Sequence, residues 1–295
     1  MKDQRIGSVC YTMEKDYTEL ATSHFHYMPI TSVSSGKGSS LAADLFYETI
    51  QIVNICLFGN PDLSNEWVLI DTGMPKSAAK IKELAEERFG KKHKPRAIIL
   101  THGHFDHVGA VTELVNEWNV PVYVHSLELP FLTGETNYPE PDGSVEGGLI
   151  AKMSPLFPNE AINLKNHVHA LPENGEIPHM PGWKWIHTPG HTPGHVSFFR
   201  DEDKLLIAGD AFVTVRQDEL YNVLIQKQEL NGPPRYFTTN WMDAWNSIKK
   251  LEALNPSIAV TGHGSPMSGT ELESNLHHLV INFESIAKPD YGRYV

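Results

Sequence analysis

Four side chains able to bind a metal fall within one short run, Thr-His-Gly-His-Phe-Asp-His-Val-Gly, which supplies His102, His104, Asp106 and His107. A catalytic zinc usually takes three protein ligands and leaves a position open for water. The run is therefore richer than one ion needs and reads as the shared floor of two adjacent metal sites. Two adjacent metals suit hydrolysis, because together they clamp the attacking and leaving atoms of a displacement. The bland alternative, a histidine-rich surface loop, does not explain a ligand type at every position that matters.

The flanking residues say what must position the run. Ala97-Ile98-Ile99-Leu100 is a short apolar burst between Lys94-Pro95 and Gly103, as expected of a buried strand entering a loop. Val111, Leu114, Val115 and Trp118 then recur at helical spacing. The ligands thus sit on a strand-to-helix loop, where α/β folds present their chemistry. Gly103 is expected to bend the chain so that His102 and His104 face one ion, leaving Asp106 and His107 for a second. The same pattern of strand, break and ligand recurs three times. Trp183-Lys184-Trp185 leads to the turn-rich segment Ile186 to His195, Leu205 to Gly209 ends on Asp210, and Ile258 to Gly262 ends on His263. Four strand ends converging would form the lip of a pocket.

Taken together, these motifs resemble the metallo-β-lactamase superfamily. Its His-x-His-x-Asp-His pattern is met by His102, His104, Asp106 and His107; its Pro-Gly-His-Thr-Pro-Gly pattern by Pro189 to Gly194; its Gly-Asp by Gly209-Asp210; and its late Gly-His by Gly262-His263. An early Asp-Thr-Gly stands at Asp71-Thr72-Gly73, and the likeness runs from about Ile50 to His263 in family order. The resemblance implies an α/β fold, a four-layer αβ/βα sandwich. It implies a first metal on His102, His104 and His191, a second on Asp106, His107 and His263, and Asp210 bridging them. Asp71 would steady a ligand histidine; the alternative is a turn residue that merely ends its strand. The cofactor expected is a pair of divalent ions, zinc first, with manganese, iron or cobalt also suited to nitrogen and oxygen ligands.

The activity implied is that of a dinuclear metal-dependent hydrolase, in which a metal-bridging hydroxide attacks an ester, thioester or lactone carbonyl and Asp106 orients the nucleophile or takes its proton. Family lactamases that degrade antibiotics generally lack the bridging aspartate. Its presence makes the chain more similar to the hydroxyacylglutathione hydrolases, lactonases and general hydrolases. Quorum-sensing lactonases typically carry a tyrosine soon after that aspartate, where this chain has Ala211-Phe212-Val213-Thr214. The rivals are a phosphodiesterase or nuclease on the same bimetal scaffold, an iron-dependent oxidoreductase of the persulfide-dioxygenase kind, and a non-catalytic binding protein that retains the fold.

Composition sets the outer bounds. The 295 residues are 40% hydrophobic, enough for a large core, and the formal net charge is -12. An acidic surface repels nucleic-acid phosphates, so the expected partner is a small-molecule substrate, with a homo-oligomer as the other partner considered. No secretory signal or membrane-length apolar run is visible, which predicts a cytoplasmic enzyme away from membranes. Cys10 and Cys56 are read as buried free thiols.

The whole chain, 1–295, reads as one domain with an N-terminal extension, 1–45, that reaches over the pocket or serves as an oligomer contact. Ile50 to Phe58 reads as a strand. Pro75 is expected to start a helix carrying Ile81, Leu84, Ala85 and Phe89 and stopped by Gly90. From 127 to 181 prolines and glycines break every pattern, which predicts a lid insertion, with Phe131, Tyr138, Met153, Leu156 and Phe157 either lining it or packing it down. A second wall runs from Val213 to Thr239 with Tyr221, Tyr236 and Phe237. Trp241, Ala244, Trp245, Ile248 and Leu251 form a core stripe, and Thr270 with Glu273 fits a capping box. His125 is placed near the site; His187 and His195 flank a ligand motif; His24, His26, His93, His167, His169, His179, His277 and His278 have no supporting motif.

Overall fold

The computed structural model describes residues 30–295. Among them the strands form two sheets. The first takes β1 (Lys37–Ala42), β2 (Leu45–Ile50), β3 (Val53–Phe58), β4 (Val68–Ile70), β5 (Ile98–Ile99), β6 (Val122–Val124) and β7 (Val168–Ala170), adjacent in that order. It is antiparallel as far as β4 and parallel from there on. The second takes β8 (Trp183–His187), β9 (Val196–Arg200), β10 (Leu205–Gly209), β11 (Ile258–Thr261) and β12 (Met267–Ser268). Only its β10–β11 pair is parallel.

Parallel neighbours need a crossover, and helices supply it. α1 (Ala78–Phe89) and α2 (Val111–Trp118) carry the chain from β4 to β5 and from β5 to β6. α3 (Leu129–Leu132) and α4 (Leu149–Met153) lie between β6 and β7, and α5 (Leu220–Ile225) and α6 (Trp241–Glu252) between β10 and β11. α7 (Gly269–Ile281) and α8 (Phe283–Ile286) follow β12.

Successive side chains of a strand point to opposite faces, so an unbroken apolar strand must be covered twice. Ile55, Leu57, Leu69, Ile98 and Leu100 face α1 and α2, packing with Ile81, Leu84, Val111 and Leu114. Their neighbours Cys56, Phe58, Val68, Ile70 and Ile99 face the other sheet, meeting Val196, Phe198, Leu205, Ile207 and Val260. On the far side Phe199, Leu206, Ala208 and Ala259 pack under Ala244, Ile248, Leu251, Leu272 and Leu276 of α6 and α7. The order is helix, sheet, sheet, helix: the αβ/βα sandwich.

Several local expectations are corrected. Ile50 to Phe58 is not one strand: Gln51 takes φ 61° and, with Ile52, turns β2 into β3. Lys37–Ala42, read as the end of an extension, is the edge strand β1; residues 1–29, with Cys10, His24 and His26, lie outside the described residues. The 127–181 interruption holds α3 and α4 but also contributes β7 to the sheet. Ser77, not Pro75, takes the position before α1. The Thr270–Glu273 capping box does not form, because β12 ends at Ser268 and fixes the helix start there, with no side-chain cap bond. Cys56 is free and buried, and burial pushes its thiol well up. Among the described residues no helix is long and apolar enough to cross a membrane.

Phe198 is fully buried between the sheets. Phe198→Ala should cost about 3–5 kcal/mol, read as a lower urea midpoint with unchanged slope.

Candidate metal centre

Each strand that ends in a ligand opens onto the same point. His102, His104, Asp106 and His107 follow β5, His191 follows β8, Asp210 follows β10 and His263 follows β11. All seven are buried. Ligand atoms of His102, His104 and His191 lie within 4.8 Å of one another, as do those of His102, His107 and Asp210, and those of Asp106, His107 and His263. Two nitrogens bound tetrahedrally at zinc–nitrogen distances would stand about 3.3 Å apart. His104 Nδ1 lies 3.0 Å from His191 Nε2, and His263 Nε2 lies 3.3 Å from both Asp106 Oδ2 and Asp210 Oδ2. Asp210 reaches every group, with Oδ1 3.6 Å from His107 Nε2 and Oδ2 3.6 Å from His191 Nε2.

A metal ligand must present a lone pair, and the hydrogen bonds decide which nitrogen has one. His107 Nδ1 donates to Asp71 Oδ2 (2.8 Å). Thr101 gives its hydroxyl proton to the same Oδ2 (2.8 Å), so its oxygen accepts from His102 Nδ1 (3.0 Å). Thr238 likewise gives its proton to the Pro234 carbonyl (2.8 Å) and accepts from His191 Nδ1 (3.3 Å). His263 Nδ1 donates to the Ile52 carbonyl (3.0 Å). In all four rings the proton is held outside and Nε2 faces inward. His102 Nε2, His107 Nε2, Asp106 Oδ1 and Asp210 Oδ1 are buried with no hydrogen-bond partner among the described residues. Buried polar atoms are rarely left so; a pair of cations bound among them would satisfy all four. The donor set therefore fits two divalent metals.

Asp71 meets both the His107 ring and the Thr101 hydroxyl through Oδ2. Its Oδ1 also accepts the Thr101 backbone N–H (2.8 Å), and its own backbone is left-handed, φ 56°, a conformation aspartate tolerates better than most. Sequence reading missed Thr101, Thr238 and the carbonyl of Ile52, whose roles depend on distant partners. It also missed Asn54, which donates to the carbonyls of Thr261 (2.8 Å) and Gly264 (2.6 Å) and so pins the His263 loop to β3. Gly262 leaves room that a side chain would take, since a Cβ there would run into Asp210 Oδ1.

The centre is electrostatically divided. Burial, reinforced by neighbouring imidazoles, pulls His102 well below its usual range. Burial also dominates at His191, which lies well below, and at His104, lowered to about 4. At His263 and His107 burial is outweighed by Asp210 and its fellow carboxylates, which raise His263 to about 9 and His107 well above its usual range. Asp210 and Asp106 are held low by those same histidines against the effect of burial. One half is neutral imidazole; the other is a carboxylate field built for positive charge.

Of the flanking histidines, His195 touches the centre through the backbone: its Nε2 accepts the Asp210 N–H (2.9 Å). His187 Nε2 donates within its own loop to the Pro193 carbonyl (2.8 Å), and the ring stacks on His125 at 4.3 Å between ring centroids. His125 is not among the grouped ligands.

The model of the metallo-beta-lactamase superfamily matches residues 52–263. The chain belongs to that superfamily. "Probable metallo-hydrolase YflN" of Bacillus subtilis (strain 168) is 50% identical over 260 residues, covering 88% of this chain and 98% of that one. Hydroxyacylglutathione hydrolase GloC of Haemophilus influenzae is 31% identical over 185 residues, 61% of this chain and 74% of its own. Among solved structures, the BLEG-1 B3 metallo-beta-lactamase aligns with a TM-score of 0.53 at 27% identity, covering 76% of this chain and 92% of that one. Family and relatives make the chain a metal-dependent hydrolase.

Replacing the carboxylate that sets two ligand rings should weaken metal binding. Asp71→Asn is expected to lower metal affinity about 10–100-fold, measured by competition with a chromogenic chelator; unchanged affinity would remove Asp71 from this account. A second expectation concerns acid stability. Burial, then the neighbouring His187, lowers His125 to about 4 from 6.5. Between those values the unfolded chain binds more protons than the native one, so stability is intact above the window and falls as pH drops through it. His125→Asn, which keeps an acceptor for the Leu127 N–H, should reduce the loss of Tm between pH 7 and pH 5 by about 2 °C.

Proposed function

We propose that His102, His104 and His191 hold one divalent ion, that Asp106, His107 and His263 hold a second, and that Asp210 lies between them, the pair serving hydrolysis of a small-molecule ester, thioester or lactone. Zinc is the metal we favour, with manganese, iron or cobalt compatible with the donors. The observation that carries the reading is the inward set of buried, unpartnered ligand atoms around Asp210.

Bound divalent ions would lower the pKa of water towards about 7 and polarise a carbonyl oxygen. The chain's own part is positional. Asp106 Oδ1, buried and unpartnered, can orient the attacking water and accept its proton. His102, His107, His191 and His263 keep their outer protons fixed by hydrogen bonds, so none is free to shuttle. Phe237 stacks on His104 at 4.4 Å, and Phe105, Phe157 and Tyr236 pack against Phe237. These rings form an apolar wall that limits water and favours a substrate with an acyl or aryl portion. Tyr236 is buried in that wall; burial, then the charges of Asp106 and Asp210, keeps its phenol protonated well above its ordinary range. We assign its hydroxyl as the donor to the oxyanion that would form on an attacked carbonyl.

The thioester arm draws support from the relative named as a hydroxyacylglutathione hydrolase. A panel of lactones, thioesters, aryl esters, a β-lactam and bis-nitrophenyl phosphate would separate carbonyl from phosphoryl chemistry. Chelation should abolish turnover, and zinc or manganese should restore it; full activity in stripped protein would refute the proposal. Tyr236→Phe should lower kcat/KM about 10–100-fold on whichever carbonyl substrate is accepted, with metal content unchanged.

A further inference from the structure

Glu128, which follows β6 just ahead of α3, is a fully buried carboxylate. No Lys, Arg or His among the described residues forms an ion pair with it. Burying an unpaired charge is costly unless hydrogen bonds replace the lost water. Here four donors do so. Oε1 accepts the Thr192 hydroxyl (2.7 Å) and the Gly194 N–H (2.8 Å). Oε2 accepts the Gly103 N–H (3.1 Å) and the Tyr138 hydroxyl. The Tyr138 oxygen also receives the Gly103 N–H at 2.9 Å.

The donors come from three separate places. Gly103 stands between His102 and His104. Thr192 and Gly194 follow His191. Tyr138 belongs to the segment between α3 and α4, and its ring lies 4.6 Å from that of His104. The two glycines are matched to this carboxylate. A Cβ at Gly194 would come within 2.7 Å of Glu128 Cγ, and one at Gly103 within 2.5 Å of the Tyr138 oxygen.

We propose that Glu128 is a positioning residue that fixes the His102–His104 loop against the His191 loop and, through Tyr138, links order in the segment 129–164 to occupancy of the three-histidine group. This rests on the metal reading above. Each oxygen of Glu128 accepts one backbone N–H, and these cannot reverse. A glutamine must turn its NH2 towards either Gly103 or Gly194, so Glu128→Gln breaks one loop whichever way it faces. Tyr138→Phe removes only the link to the segment and leaves Glu128 three donors.

The test is a two-step metal titration, with cobalt followed by its visible spectrum and zinc by chelator competition, together with hydrogen exchange of segment 129–164 with and without zinc. In the unaltered protein, two metals should bind and zinc should slow exchange in the segment. Glu128→Gln should lose affinity about tenfold or more at one site while the other is unchanged. Tyr138→Phe should keep both affinities but lose the zinc-dependent protection, and raise KM more than it lowers kcat on any ester the protein turns over. Should Glu128→Gln fail to fold, Thr192→Val deletes one of the four bonds and should weaken the same site severalfold. If the unaltered protein binds no metal, the functional reading itself fails. If it binds two, but the variants match it in both affinities and in exchange, the positioning role alone is overturned.

Discussion

The carboxylate of Asp71 accepts three hydrogen bonds from two residues, and the inward orientation of His102 and His107 depends on that arrangement. Because Thr101 gives Asp71 its only hydroxyl proton, its oxygen is left to accept from His102. Because His107 gives Asp71 its Nδ1 proton, its Nε2 is the nitrogen turned to the centre. One buried carboxylate thus orients two adjacent rings, whose centroids are 4.2 Å apart. The backbone is bent to allow it, with Asp71 held at φ 56°. Such a conformation costs free energy, and the three bonds are what hold it in place.

The sandwich makes that arrangement durable. Strand ends from both sheets meet at the centre, so the distance between Asp71 and Asp210 is set by the apolar layer between the sheets. Phe198 and Val260 from one side interleave with Phe58 and Ile70 from the other. Asn54 adds a polar tie across the same gap by holding the loop of His263. A close-packed interior transmits strain readily, so changes in this layer reach the ligands even though none touches them.

Much of this was legible in the chain because the ligands sit at strand ends and each motif is local. His102 to His107 declares itself within a few residues, and the apolar bursts before Asp210 and His263 announce the strands that carry them. Asp71 was picked out only through the resemblance, since Asp-Thr-Gly by itself also suits a turn that ends a strand. What the sequence hid was every partner that acts across distance. Asn54 meets a carbonyl 207 positions away, and Thr192 meets Glu128 64 positions away; no periodicity reports such pairs. The run Ile50 to Phe58 hid its turn because Gln51-Ile52 carries none of the glycine or proline signals that mark one. Gly103 was read as a hinge between two ligands. It has no left-handed backbone, and its lack of a side chain serves the close approach of Tyr138.

The division of charge bears on which substrates the centre suits. Asp210 reaches both groups, but Asp106 belongs to the second alone, so the three-imidazole group carries less negative charge. A cation on the imidazole side keeps more of its charge and is the stronger electrophile, so a carbonyl oxygen is best placed there. The carboxylate side is the better acceptor for a proton, which suits activation of water. The aromatic wall leans over the imidazole side, since Phe237 and Tyr138 both pack on His104. An acyl group lying against those rings would bring its carbonyl to the electrophilic half and leave the nucleophile to the other. We take that asymmetry as support for the carbonyl substrates proposed above.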